Sequence, residues 1–321
     1  MASVMLPFRF SLVCVSLVCW GLSALYAEPL RVVNYNVENL FHPAHDSVAG
    51  VPTEDEEWTP SGERHWTFTR YKRKTENIAR VLTVMGEWDG VDVVGLQEVE
   101  NAACLKRLCY TLRRNEYAFV HYESPDRRGI DVALIYKKAR IDTIRTRAIS
   151  VALQSANLGR YETTRDILYV FARVDKRDTV HFFVCHLPSQ RGGAAETEWK
   201  RQIAKKTLQL AVDSVFALQP EAKIVVMGDM NSAPKDDLVG LTNRMNGAKG
   251  THKWHGQWTC LDQFYTSPAM DSISDVRIFD AEWIMEQDEK FMGLKPKRTF
   301  NGYRYQDGFS DHLPILLECR R

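Results

Sequence analysis

The sequence of 321 residues has almost no excess of charge of either sign. Lysine and arginine together number 42 and aspartate and glutamate 41, which gives a formal net charge of +1. The chain therefore lacks a net positive field. Such a field, if present, would by itself argue for tight electrostatic binding of nucleic acid. It also lacks a linker rich in proline, glycine and serine, an internal repeat and a low-complexity tract. We therefore predict one compact domain over residues 28–321.

Cysteine is scarce and does not show the spacings of metal sites. The sequence contains seven cysteines but no CxxC pair and no Cys/His cluster with zinc spacing, which excludes the common structural zinc sites. An odd number remains after residue 27, so at least one thiol stays outside any disulfide. We interpret most of them as small buried hydrophobic residues. The cysteines after residue 27 are Cys104, Cys109, Cys185, Cys260 and Cys319.

Only one long apolar run occurs, from Phe10 to Leu25, with the single charge Arg9 before it and the small Ala27 after it. This layout is typical of a secretory signal peptide. The run of about 16 residues is short for a membrane span, which needs roughly 20. We therefore predict a signal peptide over residues 1–27, with an uncleaved membrane anchor as the alternative. The mature protein is then exported, periplasmic or secreted, with no stable membrane span.

Short runs rich in β-branched and aromatic residues, bounded by turn residues, predict strands. Hydrophobic residues at helical spacing predict three helices, and several strands follow one another without a helix between them. The combination indicates a layered α/β or α+β fold whose sheet is partly antiparallel. The strand candidates are Leu30–Tyr35, Val91–Leu96, Val132–Tyr136, Leu168–Val174, Val180–Cys185, Lys223–Met227 and Leu313–Leu317. The helix candidates are Tyr71–Gly86, Leu105–Leu112 and Ala204–Leu218; the segments Phe41–Arg64 and 244–256 predict loops, the first on the surface.

Six of the predicted strand ends deliver a carboxylate, an amide or an imidazole. A strand end is rigid and the loop that begins there is exposed, so such side chains around one edge form a polar site on a stiff scaffold. These residues are Asn36, Glu98, His186, Asp229 with Asn231, Asp262, and Asp311 with His312.

The metal-binding part of this set fits phosphoester hydrolysis. Mg²⁺ prefers oxygen ligands and binds through one or two carboxylates, leaving positions for water and substrate phosphate. Glu98 and Asp311 could supply the carboxylates, with the neutral amide of Asn36 beside them. Taken singly, Asn36 could instead shape a turn, and Glu98 could favour the dipole of a following helix.

The remaining residues fit proton transfer and charge stabilisation. Asp229 is available to orient or deprotonate a water molecule that Asn231 holds. Asp262 can fix the tautomer of His312 and stabilise its imidazolium, which can bind or protonate a phosphate oxygen. His186 offers a second phosphate contact, or it is a core histidine at a strand end.

Six motifs carry these residues in the order NYNVENLF, VVGLQEVE, HLPS, GDMN, LDQFY and GFSDHLP. Each motif is weak alone, but together they resemble the endonuclease/exonuclease/phosphatase superfamily. That superfamily includes deoxyribonuclease I, exonuclease III, sphingomyelinases and inositol polyphosphate 5-phosphatases. The resemblance implies a four-layered α/β sandwich, in which two mixed β-sheets pack face to face with helices outside. It also implies dependence on Mg²⁺ or Mn²⁺ and attack by water on phosphorus.

The resemblance further implies a role for individual positions. It predicts a phosphate-contacting arginine at Arg165 and a carboxylate partner of His186 at Asp131, the two loosest matches. The metal-side residues are Asn36, Glu98 and Asp311, and the catalytic residues are His186, Asp229, Asn231, Asp262 and His312.

The substrate is less closely defined by the sequence, because the fold hosts several phosphoesters. Local basic groups favour a nuclease, and export disfavours a role in base-excision repair. Basic residues cluster at 70–74, 127–128, 191 and 295–304, and Trp58, Trp66, Tyr161, Trp254 and Tyr303 are aromatics in or near predicted loops that could stack on bases.

Two other classes of function stay open. A phosphatase or phosphodiesterase acting on small or lipid phosphoesters would use the same catalytic residues. The sequence shows no apolar hairpin of the kind that lipid-acting members carry, and the signatures of the inositol phosphatases are absent. A non-catalytic binding protein on the same scaffold is disfavoured, because every central carboxylate is present. A monomer is expected.

Overall fold

The computed structural model describes residues 28–44, 55–113, 115–155, 159–270 and 273–319. The predicted signal peptide lies outside these residues. Within the described ranges no helix is long and apolar enough to cross a membrane.

The described residues form three α-helices, three single-turn 3₁₀ helices and short and long strands. The helices are α1 (Phe68–Gly86), α2 (Ala102–Leu112) and α3 (Ala194–Leu218), and the 3₁₀ turns are Glu56–Trp58, Pro268–Met270 and Glu282–Ile284. The first strands are β1 (Leu30–Leu40), β2 (Val93–Val99), β3 (Tyr117–His121), β4 (Asp131–Lys137), β5 (Ile141–Ile149), β6 (Leu153–Ser155), β7 (Arg160–Glu162), β8 (Ile167–Val174), β9 (Asp178–His186) and β10 (Ile224–Asp229). The others are β11 (Thr242–Asn243), β12 (His252–Trp254), β13 (Gln257–Thr259), β14 (Asp262–Thr266), β15 (Ile273–Ile278), β16 (Met285–Gln287), β17 (Leu294–Pro296), β18 (Phe300–Asn301), β19 (Arg304–Tyr305) and β20 (Ile315–Cys319).

Twelve of these strands build two six-stranded sheets. The first sheet has the order β15-β20-β1-β2-β4-β3 and the second the order β11-β14-β10-β9-β8-β5. In each sheet one central pair is parallel, β1 with β2 and β9 with β10, and the other pairs are antiparallel. A parallel pair needs a crossover, which α1 provides in the first sheet and α3 in the second.

The sheets pack face to face, and the helices cover their outer faces. Val32 and Leu134 of the first sheet share one buried cluster with Phe182 and Met227 of the second. The outer face of the first sheet packs on α1 and α2 in another cluster, and that of the second sheet packs on α3. The four-layered α/β sandwich predicted from the sequence is confirmed.

Local sequence signals explain where the first two helices begin and end. The side chain of Thr67 accepts a hydrogen bond from the Arg70 amide at the start of α1, and Asn101 caps two amides at the start of α2. Side-chain caps of this kind contribute about 0.5–2 kcal/mol. The helix α1 ends at Gly86, where a Cβ atom would lie 2.4 Å from the Val91 amide nitrogen.

The seven predicted strands and three predicted helices are confirmed, with ends that move by up to ten residues. The surface loop predicted for Phe41–Arg64 is partly wrong, because Phe41 and Trp58 are buried and stack at 4.9 Å between ring centroids. The predicted loop 244–256 contains β12, which pairs with β13. All five cysteines after residue 27 are buried thiols, which confirms their interpretation as small core residues.

The close approach of the two sheets produces a testable constraint at Gly95. A Cβ atom at this position would lie 2.7 Å from Sδ of Met227, inside the core between the sheets. We expect Gly95→Ala to lower the free energy of unfolding by about 1–3 kcal/mol through overpacking. Denaturant unfolding measures the effect, and Gly95→Ala in a Met227→Ala background should cost less than in wild type. Equal costs in both backgrounds would contradict this origin.

Candidate functional site

Two parallel strand pairs end at the same edge of the sandwich and place the candidate residues there. His186 ends β9 opposite Asp229, which ends β10, and Asp262 begins the antiparallel β14 opposite Asp229. In the first sheet, Asn36 lies on β1. Its Nδ2 donates a hydrogen bond to Oδ2 of Asp229 at 3.1 Å, so the two sheets meet at this carboxylate.

Asp229 is the buried centre of the site. Its Oδ1 accepts a hydrogen bond from the Asn231 amide at 2.9 Å, and the side chain of Asn231 is in turn held by the Leu187 carbonyl at 2.9 Å. Burial raises the pKa of Asp229 to about 6, with the charges of Asp262 and Glu98 adding to the rise. A carboxylate with this pKa is ionised at neutral pH yet can accept a proton, as a general base must.

His312 and Asp262 form a hydrogen-bonded dyad across the sheets. Nδ1 of His312 lies 2.7 Å from Oδ2 of Asp262, and Nε2 lies 3.8 Å from Oδ2 of Asp229. Burial by itself would lower the pKa of His312, but the carboxylates of Asp262 and Asp229 raise that pKa well above its ordinary value. The ring is therefore an imidazolium at neutral pH, with Nε2–H directed at the centre of the site.

Hydrogen bonds from the first sheet hold Asp262 in place. Its Oδ1 accepts a hydrogen bond from Nδ2 of Asn34 at 3.4 Å, and Oδ1 of Asn34 accepts one from Nε2 of Gln97 at 2.8 Å. All three side chains are almost completely buried. These linked amides fix the orientation of the Asp262 carboxylate, and Asp262 in turn orients His312.

His186 lies between two carboxylates of the site. Its Nε2 is 3.6 Å from Oδ2 of Asp229 and 4.0 Å from Oε1 of Glu98. Burial lowers the pKa of His186 well below its ordinary value, and the charges of Arg165 and Arg128 lower it further. His186 is thus a neutral imidazole next to a charged one, so the two histidines differ in proton content.

The predicted pairing of Asp131 with His186 is wrong. Asp131 lies 3.0 Å from Nε2 of His121 and accepts a hydrogen bond from the Ser124 amide at 3.0 Å. His121 ends β3, which pairs with β4, the strand that begins at Asp131. Because the sequence pattern did not predict β3, it did not identify His121 as the partner of Asp131.

Glu98 is a partly exposed carboxylate at a strained backbone position. Its φ of 63° lies in the left-handed region, which is costly for a residue with a side chain and clusters at functional sites. Oε2 accepts a hydrogen bond from the Asn39 amide at 2.9 Å and lies 3.5 Å from Nη2 of Arg128. The side chain keeps 13% of its surface exposed, so this carboxylate is open to a ligand from solvent.

Asp311 is tied to a buried charge network that the sequence did not predict. Its Oδ2 accepts a hydrogen bond from Nη2 of Arg298 at 2.8 Å, and Arg298 also contacts the buried Glu38. Lys74 lies 3.9 Å from Glu38. Burial would raise the pKa of Asp311, but the charges of Arg298 and His312 lower it to about 2. In the sequence Glu38 lies inside the first motif, and Lys74 and Arg298 lie in basic clusters, but no local pattern predicted that they pair.

Arg165 lies beside the site, in a fixed position. Its Nη1 contacts Oδ2 of Asp126 at 2.9 Å, and its Nη2 donates to the Leu187 carbonyl at 3.0 Å. The same carbonyl holds Asn231, so Arg165 supports the loop that follows His186. Its contact with a phosphate stays a prediction.

The donor set can be compared with the preferences of candidate metals. Glu98, Asp311 and Asn36 offer carboxylate and amide oxygens. Oε1 of Glu98 lies 4.0 Å from Nε2 of His186. An oxygen-only set of this kind suits Mg²⁺ or Mn²⁺ and not the thiolate-rich sites of zinc. The residues present therefore fit a hard divalent cation at Glu98.

A model of the endonuclease/exonuclease/phosphatase family matches residues 31–246 and 237–321. The chain belongs to this family. Its members are phosphoesterases, which agrees with the chemistry that the buried carboxylate and the two histidines can perform. A search among curated proteins finds no matching sequence.

Solved structures of the same family share the fold. An endonuclease/exonuclease/phosphatase family protein from Bacteroides thetaiotaomicron has a TM-score of 0.57 at 14% identity, covering 92% of this chain and 99% of its own. A humanized D. rerio TDP2 has a TM-score of 0.56 at 16% identity, with 91% and 99% covered. A mannosyl-6-phosphatase of Bacteroides thetaiotaomicron has a TM-score of 0.56 at 15% identity, with 90% and 98% covered. At these identities the likeness shows the fold alone.

Several residues predicted to contact nucleic acid lie in the interior instead. Trp58, Trp66 and Lys74 are buried, so they cannot stack on bases or bind phosphates. Tyr161, Trp254 and Tyr303 are exposed by 60% or more, as predicted.

The corrected partner of Asp131 leads to a prediction. We expect Asp131→Asn to lower kcat by less than about tenfold, because the side chain does not contact His186, while stability falls by about 1–3 kcal/mol. His186→Ala serves as the comparison, measured with the same phosphoester and by thermal unfolding. A loss of rate in Asp131→Asn equal to that of His186→Ala would restore the rejected pairing.

Proposed function

We propose that this protein is an exported phosphodiester hydrolase that depends on Mg²⁺ or Mn²⁺ and acts on nucleic acid. The hydrolase assignment is carried by one observation. The carboxylate of Asp229 is buried, accepts hydrogen bonds from Asn36 and Asn231, and lies within 3.6 and 3.8 Å of the imidazoles of His186 and His312.

Glu98 is the ligand that we assign to the metal ion, with Asn36 and Asp311 beside it. When bound, the ion would neutralise phosphate charge and polarise the phosphorus–oxygen bond. Asp311 has one oxygen engaged by Arg298, so it contributes mainly negative charge on this side of the site. Arg128, close to Glu98, adds a positive group where the phosphate would lie.

Asp229 orients the attacking water and takes its proton. The Asn231 amide and Asn36 hold the carboxylate in place, so its free lone pairs face the water. The water oxygen then bonds to phosphorus, the proton moves to Asp229, and the ester bond to the leaving oxygen breaks. The leaving oxygen takes a proton from solvent.

The two histidines serve different parts of this reaction. The imidazolium of His312 offers Nε2–H to a phosphate oxygen and stabilises the charge that grows in the transition state. His186 is neutral and can donate a hydrogen bond without adding charge. A charged donor, His312, and a neutral donor, His186, are therefore both available to one phosphate.

Aromatic rings near the dyad support a nucleic-acid substrate. The ring of His252 lies 4.9 Å from that of His312, and strand alternation puts Trp254 on the same face of β12 as His252. Trp254 stacks on His255 at 4.7 Å, and His255 stacks on Phe291 at 5.4 Å. Trp254 is 63% exposed, so a base of a bound strand could stack there.

A lipid or small-molecule phosphoester is the second candidate, and one observation favours it. Phe291, Met292 and Leu294 are exposed near Trp254, and Met292 is 81% exposed. The Met292 carbonyl accepts a hydrogen bond from Lys253 of the β12 ribbon. The sequence predicted no apolar hairpin, but Phe291 and Met292 lie between the paired strands β16 and β17, and this surface would also suit an interface with lipid.

Export rests on the layout of residues 1–27. Its test is direct: the N-terminus of the protein recovered from its natural host should begin near Glu28. A protein that retains residues 1–27 in the membrane fraction would contradict cleavage.

The metal assignment predicts the behaviour of Glu98→Gln. We expect hydrolysis by residues 28–321 to require Mg²⁺ or Mn²⁺, to stop with EDTA, and to fall by at least ~10² in Glu98→Gln, because a hard anionic ligand is lost. The matched control is Glu100→Gln, which changes a buried carboxylate at the end of the same strand. The panel comprises supercoiled DNA, RNA, bis-p-nitrophenyl phosphate, p-nitrophenyl phosphate and sphingomyelin.

The outcomes of this panel separate the candidates. EDTA-sensitive nicking of DNA or cleavage of RNA supports the nuclease. Cleavage of only the small or lipid esters moves the substrate to the second candidate while keeping the catalytic residues. Full activity of Glu98→Gln with Mg²⁺ would refute the metal assignment.

The charge of His312 predicts a pH profile. Activity should rise as pH increases through about 6, where Asp229 ionises, and fall in the alkaline range, where the raised pKa of His312 is crossed. We expect His312→Ala to lower kcat/KM by at least ~10² and to remove the alkaline fall. His181→Ala, a buried histidine on the outer face of the second sheet, is the control. A loss below about tenfold would make His312 peripheral.

A further inference from the structure

Thr251 lies between the two backbone segments that carry the catalytic dyad, Asp262 and His312. Its side chain is completely buried. Its Oγ1 accepts hydrogen bonds from the Leu261 amide at 3.1 Å and the Asp262 amide at 3.2 Å. Its carbonyl accepts a hydrogen bond from the Leu313 amide at 2.8 Å. One residue therefore contacts the backbone at Asp262 and directly after His312.

The dyad needs such a link because its members belong to different sheets. Asp262 begins β14 of the second sheet, while His312 precedes β20 of the first. No ladder of sheet hydrogen bonds connects β14 with β20 in the described residues, so the 2.7 Å contact between the side chains depends on other bonds. Thr251 supplies bonds to both segments.

The residue that follows strengthens the link on the histidine side. His252 forms an isolated antiparallel bridge with His312, and their rings lie 4.9 Å apart. On the other side, the Thr251 amide donates to the Thr259 carbonyl at 3.0 Å, which closes the β12–β13 ribbon against the strand that leads to Asp262. The segment 251–252 is thus fixed at both ends.

We propose that Thr251 is a positioning residue whose hydroxyl sets the place of Asp262 and thereby the orientation of His312. Without Oγ1 the amides of Leu261 and Asp262 lose their acceptor in the interior, and the segment must shift to find another. A shift of one ångström at a catalytic contact can cost about 10² in rate. This proposal rests on the proposed function for its kinetic test, but it has a second test that does not.

The kinetic test compares variants that differ at the hydroxyl. Thr251→Val keeps the shape and removes Oγ1, whereas Thr251→Ser keeps Oγ1 and removes the methyl group. Thr266→Val is the control, because Thr266 is an equally buried threonine on β14 whose Oγ1 accepts from Arg244 rather than from the dyad backbone.

We expect kcat of Thr251→Val to fall about 10- to 100-fold with KM changed less than about threefold, because the loss acts on the reacting geometry and not on binding. Thr251→Ser and Thr266→Val should stay within about threefold of wild type. Thermal unfolding of each variant shows whether it is folded at the assay temperature. Equal loss in Thr251→Val and Thr266→Val, or no rescue by serine, would overturn the proposal.

The second test reads the dyad without turnover. Protein labelled with ¹⁵N at histidine gives the resonances of Nδ1 and Nε2, which report protonation and tautomer, and His312→Ala assigns the signal of His312. We expect Thr251→Val to move the Nδ1 signal of His312 away from its wild-type position, because the hydrogen bond to Asp262 weakens, while Thr251→Ser and Thr266→Val keep the wild-type position. An unchanged signal in folded Thr251→Val would overturn the proposal even if its rate were low.

The two tests separate this proposal from the proposed function. If wild type hydrolyses nothing in the panel, the proposed function fails and the histidine spectrum alone decides the role of Thr251. If Thr251→Val does not fold, Thr251→Ala is measured in the same way. Unfolding of both, with Thr266→Val folded, would make Thr251 a structural residue and overturn the proposal.

Discussion

A carboxylate at the junction of two sheets is the feature on which the rest of this site depends. Asp229 is 2% exposed, and a buried negative charge is costly unless partners compensate it. The partners come from both sheets: Asn36 from the first, and Asn231 and His186 from the second. The hydrophobic core between the sheets sets the distance at which they meet. Packing of the sandwich therefore holds this carboxylate among the partners that compensate its charge.

The site around this carboxylate has two sides that are fixed by different interactions. On the metal side, Asp311 is held by ion pairs, through Arg298 to Glu38 and Lys74. On the dyad side, Asp262 is held by neutral hydrogen-bond donors, Asn34 among them. The difference has a chemical consequence. On the first side the side-chain cations would compete with a metal ion for the carboxylate oxygens, whereas the neutral donor on the second side leaves the charge of Asp262 available to His312.

Apart from β14, the sequence predicted the central strands, because residues buried on both sides give continuous apolar runs, as in Val180–Cys185. It did not predict β3, β5 and β15, which lie at the edges of the sheets. Edge strands such as Ile141–Ile149 mix polar and apolar residues and carry a bulge. Residues at strand ends were predictable because a polar residue directly after an apolar run is visible in one dimension. Glu38, Lys74 and Arg298 come together only through contacts between distant segments, and a local pattern does not contain that information.

The substrate does not follow from composition for the same reason: composition does not contain the contacts that bring distant charged groups together. A net charge near zero removes long-range attraction for a polyanion, so affinity for nucleic acid must come from groups placed at the site itself. Arg128 and Arg298 lie beside the metal-side carboxylates. The ring of His252 lies next to His312, and Trp254 on the same strand begins the stack with His255 and Phe291. Few phosphate contacts imply a weak dependence on salt, and stacking implies tolerance of sequence. A nuclease built in this way would bind a short stretch of strand locally rather than follow a long basic groove.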